Sequence, residues 1–332
     1  MKTIIYAAII FIFVLLFSEF GLRFYKLNYS TQGKYGKMIF QEDEYVGFVL
    51  KKNLRNHVVM PEYGWNFIMD TDSNGNRGSR PLIEKAPGEF RILMLGDSFT
   101  FGFGVNSDQT FASLLEKKLR RETGMNVNVI NAGVPSYGTL QEVRYLKAYA
   151  KKLEPDLVIV AFFDNDLWDN VIDLRFIDGS IQKNPKIIFG HTSYIIELFD
   201  KIIMPRYFHR QTKIYSISDL QNRFNELVQE AKIYCENNGM KFMIVEIPDR
   251  AYTKFRTLSD LDFMPPDRTW DLGPDIFYMY DRFDKLEQDP YFLEHHLNSI
   301  GHEEVSSALV DELLTRNSSM LFNQADLQYQ RY

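Results

Sequence analysis

A chain of 332 residues, 45% hydrophobic and 25% charged, with a formal net charge of -6, has an ordinary folded composition and enough length for one large core or two modest ones. The acidic balance gives no general attraction to nucleic acid, so no nucleic-acid partner is expected. A lone cysteine, Cys235, excludes an intramolecular disulfide. The six histidines fall in no metal-ligand series such as H-E-x-x-H, and neither a metal nor another cofactor is expected.

In chain order, residues 4–17 form an almost unbroken apolar stretch behind Lys2. It is shorter than the roughly 20 residues that comfortably span a bilayer, yet it reads as an export signal. Ser18-Glu19-Phe20 puts an acid and a large aromatic where a cleavage site wants small residues. That favours a retained signal-anchor over a cleaved signal or a helix packed on a soluble protein. Residues 1–24 are therefore the expected membrane segment. The downstream domain is expected outside the cytoplasm, membrane-anchored or secreted if the signal is cleaved.

Residues 25–89 look like a strand-rich lead-in, with short apolar runs at 45–50 and 65–69 and turn formers across 72–78. From residue 90 strand and helix signals alternate. Strands are expected at 90–95, 127–130, 157–163 and 240–247, and helices at 108–121 (capped by Asp108), 140–153, 217–238 and 299–314. The fully apolar run 157–163 is the kind of strand buried on both faces. Cys235 falls on the third helix, where a buried thiol is the expected reading. This order predicts a mostly parallel sheet covered by helices on both sides, with reactive residues at strand C-termini.

The rhythm breaks twice, at 173–211 and 251–291, in stretches rich in Tyr, Phe, Pro and Asp that include Trp270. Such insertions often wall or cover a site. Residues 90–316 thus form the main domain, followed by a tail at 317–332.

The chemistry-bearing residues sit at the junctions. Ser98, in Gly96-Asp97-Ser98 just after an apolar strand, can be lifted from the main chain at a sharp turn, although a serine there can also serve only as a cap. Asn131-Ala132-Gly133 offers a glycine amide for a developing oxyanion, or simply a tight turn. Asn165 could donate a side-chain hydrogen bond to the same oxygen or cap a helix. In Glu294-His295-His296-Leu297-Asn298, His296 is the best base candidate; His302, one turn into the last helix, is better placed for packing or capping, and His295 is expected to face away.

Taken in order, Gly96-Asp97-Ser98, Asn131-Ala132-Gly133, Asn165-Asp166 and His296-Leu297-Asn298 resemble the four blocks of the SGNH/GDSL hydrolase superfamily, especially members that act on carbohydrate acyl groups. The resemblance spans about residues 90–314. It implies a flavodoxin-like three-layer α/β/α sandwich, with Ser98 as nucleophile and His296 as general base. The Ser98 and Gly133 amides and the Asn165 side chain become the oxyanion hole. The family places an aspartate where this chain has Glu294, so Glu294 is the expected acid, with Asp289 as its substitute. The expected activity is a serine esterase or deacylase, on an envelope carbohydrate or a small acyl ester. The alternatives are an O-acyltransferase that moves the acyl group to a glycan, and a non-catalytic glycan-binding envelope protein.

Overall fold

The N-terminal apolar run lies within helix α1 (Lys2–Tyr29). At 1.5 Å per residue the run covers about 21 Å, short of a hydrocarbon core of roughly 30 Å. Among the described residues no helix is long and apolar enough to cross a membrane. The computed structural model describes residues 2–29, 39–59, 67–78, 84–170, 173–177, 180–184, 217–256, 276–292 and 295–322. It divides into two compact units, Met1–Val49 with Ile172–Leu220, and Leu50–Val171 with Gln221–Tyr332. The first contains α1 and an antiparallel hairpin of Asp173–Ile177 with Ser180–Asn184.

The second unit contains the sheet. Its strands are β1 (Glu89–Gly96), β2 (Asn126–Asn131), β3 (Leu157–Phe162), β4 (Lys241–Glu246) and β5 (Ile276–Tyr278). They lie in the order β2-β1-β3-β4-β5, all parallel, which is the 2-1-3-4-5 order of a flavodoxin-like fold. Leu93 stands opposite both Ile130 and Val158. Because side chains alternate along a strand, Ile92, Met94, Ile159, Ala161, Met243 and Val245 share one core cluster with Phe111 and Leu115 of α3 (Phe111–Thr123) and Val305 and Leu309 of α8 (Ser299–Leu314). On the other face α4 (Thr139–Leu153) contacts β1 and β3. There Phe162 meets Phe224 of α6 (Ile217–Asn237), with ring centroids 4.6 Å apart. Each fully buried side chain of this size contributes roughly 1.5–3 kcal/mol before chain entropy is counted.

Two local expectations are corrected. Asp108 does not cap α3: Asn106 and Gln109 cap each other around a 3-10 turn, Ser107–Gln109. The helix starts after Thr110, whose hydroxyl accepts the Ser113 amide at 3.3 Å. His302 also serves this end, its Nδ1 accepting the Phe111 amide at 3.1 Å. The second expected insertion is not irregular throughout, since it supplies edge strand β5 and the short helix α7 (Tyr280–Phe283). Runs of three or four residues carry too little periodicity to be read; pairing of Ile276 with Ile244 defines the strand. Trp270 lies outside the described residues.

Candidate active site

Gly96 ends β1, and Ser98 opens α2, a single turn at Ser98–Phe101. The Asp97 carboxylate caps that turn by accepting the Phe99 amide at 2.8 Å. A Cβ on Gly96 would lie 2.1 Å from the Thr100 hydroxyl, so the chain can fold back here only at glycine. The far end of α2 is held by Arg77, whose guanidinium donates to the carbonyls of Phe101 (2.6 Å), Gly102 (2.7 Å) and Val105 (2.5 Å). Carbonyls at a helix end have no intrahelical donor, and a buried arginine answers that need. Ser98 is left half-buried at the mouth of the turn.

The loop after β2 braces α2 from the side. Asn131 donates from Nδ2 to the Thr100 carbonyl at 2.8 Å and accepts the Gly133 amide on Oδ1 at 3.0 Å. A Cβ on Gly133 would meet the Phe101 nitrogen at 2.3 Å and the Thr100 carbonyl carbon at 2.6 Å. Gly133 is therefore demanded by close contact with the serine turn, and its N–H is already engaged by Asn131.

His296 arrives from the opposite end of the chain. Asn298 caps α8, its Oδ1 accepting the amides of Ile300 (2.8 Å) and Gly301 (3.3 Å), while its Nδ2 donates to the carbonyls of Asp289 (2.8 Å) and Tyr291 (3.1 Å). Tyr291 bridges Leu297, and the Phe292 amide closes the turn on the His296 carbonyl at 2.8 Å. The result is a contact of 2.9 Å between His296 Nε2 and Ser98 Oγ. The imidazole lies beside the rings of Phe99 and Phe103, with centroids 5.2 and 4.9 Å away. Burial, helped by the neighbouring His295, pushes its pKa down to about 4. His296 Nδ1 is buried and has no hydrogen-bond partner among the described residues.

The expected acid, Glu294, lies outside the described residues. Asp289 is committed elsewhere: Arg250 holds one oxygen at 2.6 Å and the Tyr291 amide the other at 3.0 Å.

Asn165 stands at the end of β3 as the first residue of α5 (Asn165–Asp169). Its side chain hydrogen-bonds Asp97, and its Nδ2 donates to Asp169 at 3.4 Å. It therefore sits against the serine turn. Behind it lie fully buried Asp97, Asp166 and Glu142, the last on the first turn of α4. Glu142 has no hydrogen-bond partner on either carboxyl oxygen among the described residues. Burial, then the like charge of Asp169, pushes Asp97 up to about 7. Burial, then the Asp97 charge, raises Glu142 well above the carboxylate range, and burial with the Glu142 and Asp97 charges does the same to Asp166. Burial and mutual repulsion among these three neighbours both favour their protonated forms.

A separate cavity of about 610 Å³ is lined by Asn76, Arg77, Asn106, Glu116 and Lys117 among others, and neither Ser98 nor His296 lines it. Among the described residues no group of His, Cys, Asp and Glu could hold a metal ion.

The serine turn at the C-terminus of the first strand, the histidine ahead of the last helix and the asparagine after the third strand all fall within residues 94–303, which match the family model of the GDSL-like lipase/acylhydrolases. The chain belongs to this family. No curated protein sequence matches it significantly. Solved structures to which this GDSL-like acylhydrolase is similar include TesA, with 14% identity, 67% of this chain and 97% of that chain covered and a TM-score of 0.41. Another is the esterase EstA from Pseudoalteromonas sp., with 17% identity, 69% and 98% covered and a TM-score of 0.38. A third is a catalytic mutant of Axe2, an acetylxylan esterase from Geobacillus stearothermophilus, with 12% identity, 70% and 96% covered and a TM-score of 0.39.

Sequence reasoning missed Arg77, the Asn131 side chain, Glu142 and Arg250. Arg77 had one signal, a lone cation among the turn formers of 72–78. Asn131 stood in a quoted block without a role for its side chain; Glu142 and Arg250 had no signal, because Asp97, Asp289 and Phe292, which they face, are remote in sequence.

Proposed function

We propose that this GDSL-type acylhydrolase is a serine esterase working through an acyl-Ser98 intermediate, and the 2.9 Å contact between His296 Nε2 and Ser98 Oγ carries that reading. His296 takes the hydroxyl proton as Ser98 Oγ bonds to the ester carbonyl carbon. The carbonyl electron pair moves onto oxygen. Collapse expels the alcohol, which receives the proton from His296, and leaves the acyl-enzyme. Water then attacks, His296 takes one of its protons and returns it to Ser98 Oγ, and the carboxylic acid departs.

For Nε2 to accept the serine proton, the ring must carry its own hydrogen on Nδ1. Glu294 is assigned as the acceptor of that N–H, a role for which Asp289 is already occupied. The oxyanion hole consists of the Ser98 amide, the Asn165 side chain and the Gly133 amide. A charged oxygen draws the last from the neutral Asn131 carbonyl, since charge-assisted hydrogen bonds are roughly twice as strong.

The substrate proposed is an acyl ester of an envelope carbohydrate, and α1 is proposed to attach the protein to a membrane. Support for attachment comes from α1, where Ile10, Phe13, Leu16 and Phe17 are 62–79% exposed, an apolar surface that wants cover. The test is turnover of an acetylated polysaccharide with and without an added unacylated glycan. Free acetate in both conditions is the expected result. Acetyl-glycan formed in place of acetate would assign an O-acyltransferase, and no turnover by a protein that labels at Ser98 would reject a carbohydrate ester.

A further inference from the structure

Arg250 lies outside the reacting groups, on the 3-10 turn Arg250–Tyr252 that follows β4. Only 6% of its side chain is exposed. Its Nε donates to the Phe255 carbonyl at 2.9 Å, Nη1 to the Phe292 carbonyl at 3.0 Å and Nη2 to Asp289 Oδ2 at 2.6 Å. The last two acceptors are on the segment that leads into the His296 turn. The Phe292 carbonyl also accepts the His295 amide at 3.1 Å, and the Phe292 amide donates to the His296 carbonyl at 2.8 Å. Asp289 in turn accepts the Tyr291 amide at 3.0 Å, and the Tyr291 hydroxyl donates to the Pro248 carbonyl at 2.8 Å, two residues before Arg250.

The reacting pair spans 198 residues of sequence, so its geometry depends on how two separately built pieces are seated. Ser98 is fixed by β1 and the bonds around α2. His296, whose Nδ1 has no partner among the described residues, takes its position from the main chain of its turn. Asn298 ties that turn to α8; Arg250 ties it to the loop after β4. A planar guanidinium can reach a carbonyl and a carboxylate at once in fixed directions, which a lysine ammonium cannot.

We propose that Arg250 is a positioning residue for the general base: by clamping the Phe292 carbonyl and the Asp289 carboxylate it fixes the turn that delivers His296 to Ser98, an inference that rests on the Ser98–His296 reading above. A residue that served stability alone would change the amount of folded protein and leave turnover per folded molecule intact. The test is kcat and KM for p-nitrophenyl acetate with wild type, Arg250→Lys, Arg250→Ala and Ser98→Ala, each normalised by near-UV circular dichroism. Displacing a catalytic group by about 1 Å can cost on the order of 10²-fold. That loss is expected in kcat for Arg250→Ala, with KM within about threefold, because the binding surface is untouched. Arg250→Lys loses at least about tenfold despite keeping the charge, and added ethylguanidinium restores part of the Arg250→Ala activity. Turnover within about twofold of wild type in either variant, a loss confined to KM, or failure of both variants to fold would overturn the inference. Wild-type turnover by Ser98→Ala would instead overturn the nucleophile reading and leave the Arg250 clamp without a base to position.

Discussion

Replacing Gly133 by alanine tests the seat of the nucleophile turn. The added methyl would sit 2.3 Å from the Phe101 nitrogen, where ordinary contact begins at 3.4 Å, so something must move by about 1.1 Å. The obstructing atoms are main-chain atoms of α2, which cannot swing aside as a side-chain end does. If α2 absorbs half of that shift, the 2.9 Å contact from His296 to Ser98 lengthens beyond useful hydrogen-bond range. A displacement of that order costs roughly 10²-fold, equivalent to about 2.7 kcal/mol of transition-state stabilisation. Overpacking should also lower stability by about 1–3 kcal/mol. The assay is kcat/KM on p-nitrophenyl acetate together with urea unfolding of the same preparation. Gly133→Ala with both quantities unchanged would refute the close seating of α2 against the loop after β2.

Arg77→Ala should destabilise the fold by about 3 kcal/mol or more in urea, because charge-assisted hydrogen bonds to three carbonyls are lost together; unchanged unfolding would refute the brace. The wild-type acid limb of kcat/KM should lie low, at about 4, where burial holds His296, and in Glu294→Gln it should move lower still because a carboxylate on Nδ1 favours the charged ring. Coincident limbs would remove Glu294 as the partner. The alkaline limb should lie at about 7, where Asp97 ionises beside the serine turn; a plateau well above that pH would detach the buried carboxyls from activity. His302 is pushed down to about 3 by burial, with help from the positive charges of Arg77 and His296. Its contribution to stability is therefore complete above its usual 6.5 and lost as pH falls towards 3. The melting temperature should drop over that window, less steeply in His302→Gln, and parallel curves would refute the assignment.

The sheet was legible in the sequence because β1 and β3 carry apolar runs, β2 interleaves Val and Ile with Asn, and the helices that follow the first two strands, α3 and α4, are amphipathic. The third strand, read as buried on both faces, is central and fully buried. Ser98 and His296 were legible because their neighbours in sequence mark the junctions they occupy, and they do meet. The cap of α3 was misread because Asp108 and Thr110 are both competent caps, and only the Asn106–Gln109 pairing decides between them. Strand β5 was missed because a three-residue edge strand is defined by its partner. The same limit hid the bond of the Asn131 side chain to the Thr100 carbonyl and the clamp of Arg250 on Asp289 and Phe292. Those contacts follow from the tertiary fold, and local pattern does not encode them.

The most direct measurement is intact-mass and peptide mapping after treatment with a fluorophosphonate, for wild type, Ser98→Ala and His296→Ala. A hydroxyl is reactive at neutral pH only when a base removes its proton in the attack. The account predicts a single adduct on the peptide containing Ser98, none in Ser98→Ala, and greatly slowed labelling in His296→Ala. An adduct that persists in Ser98→Ala, or no adduct on folded wild type, would contradict it.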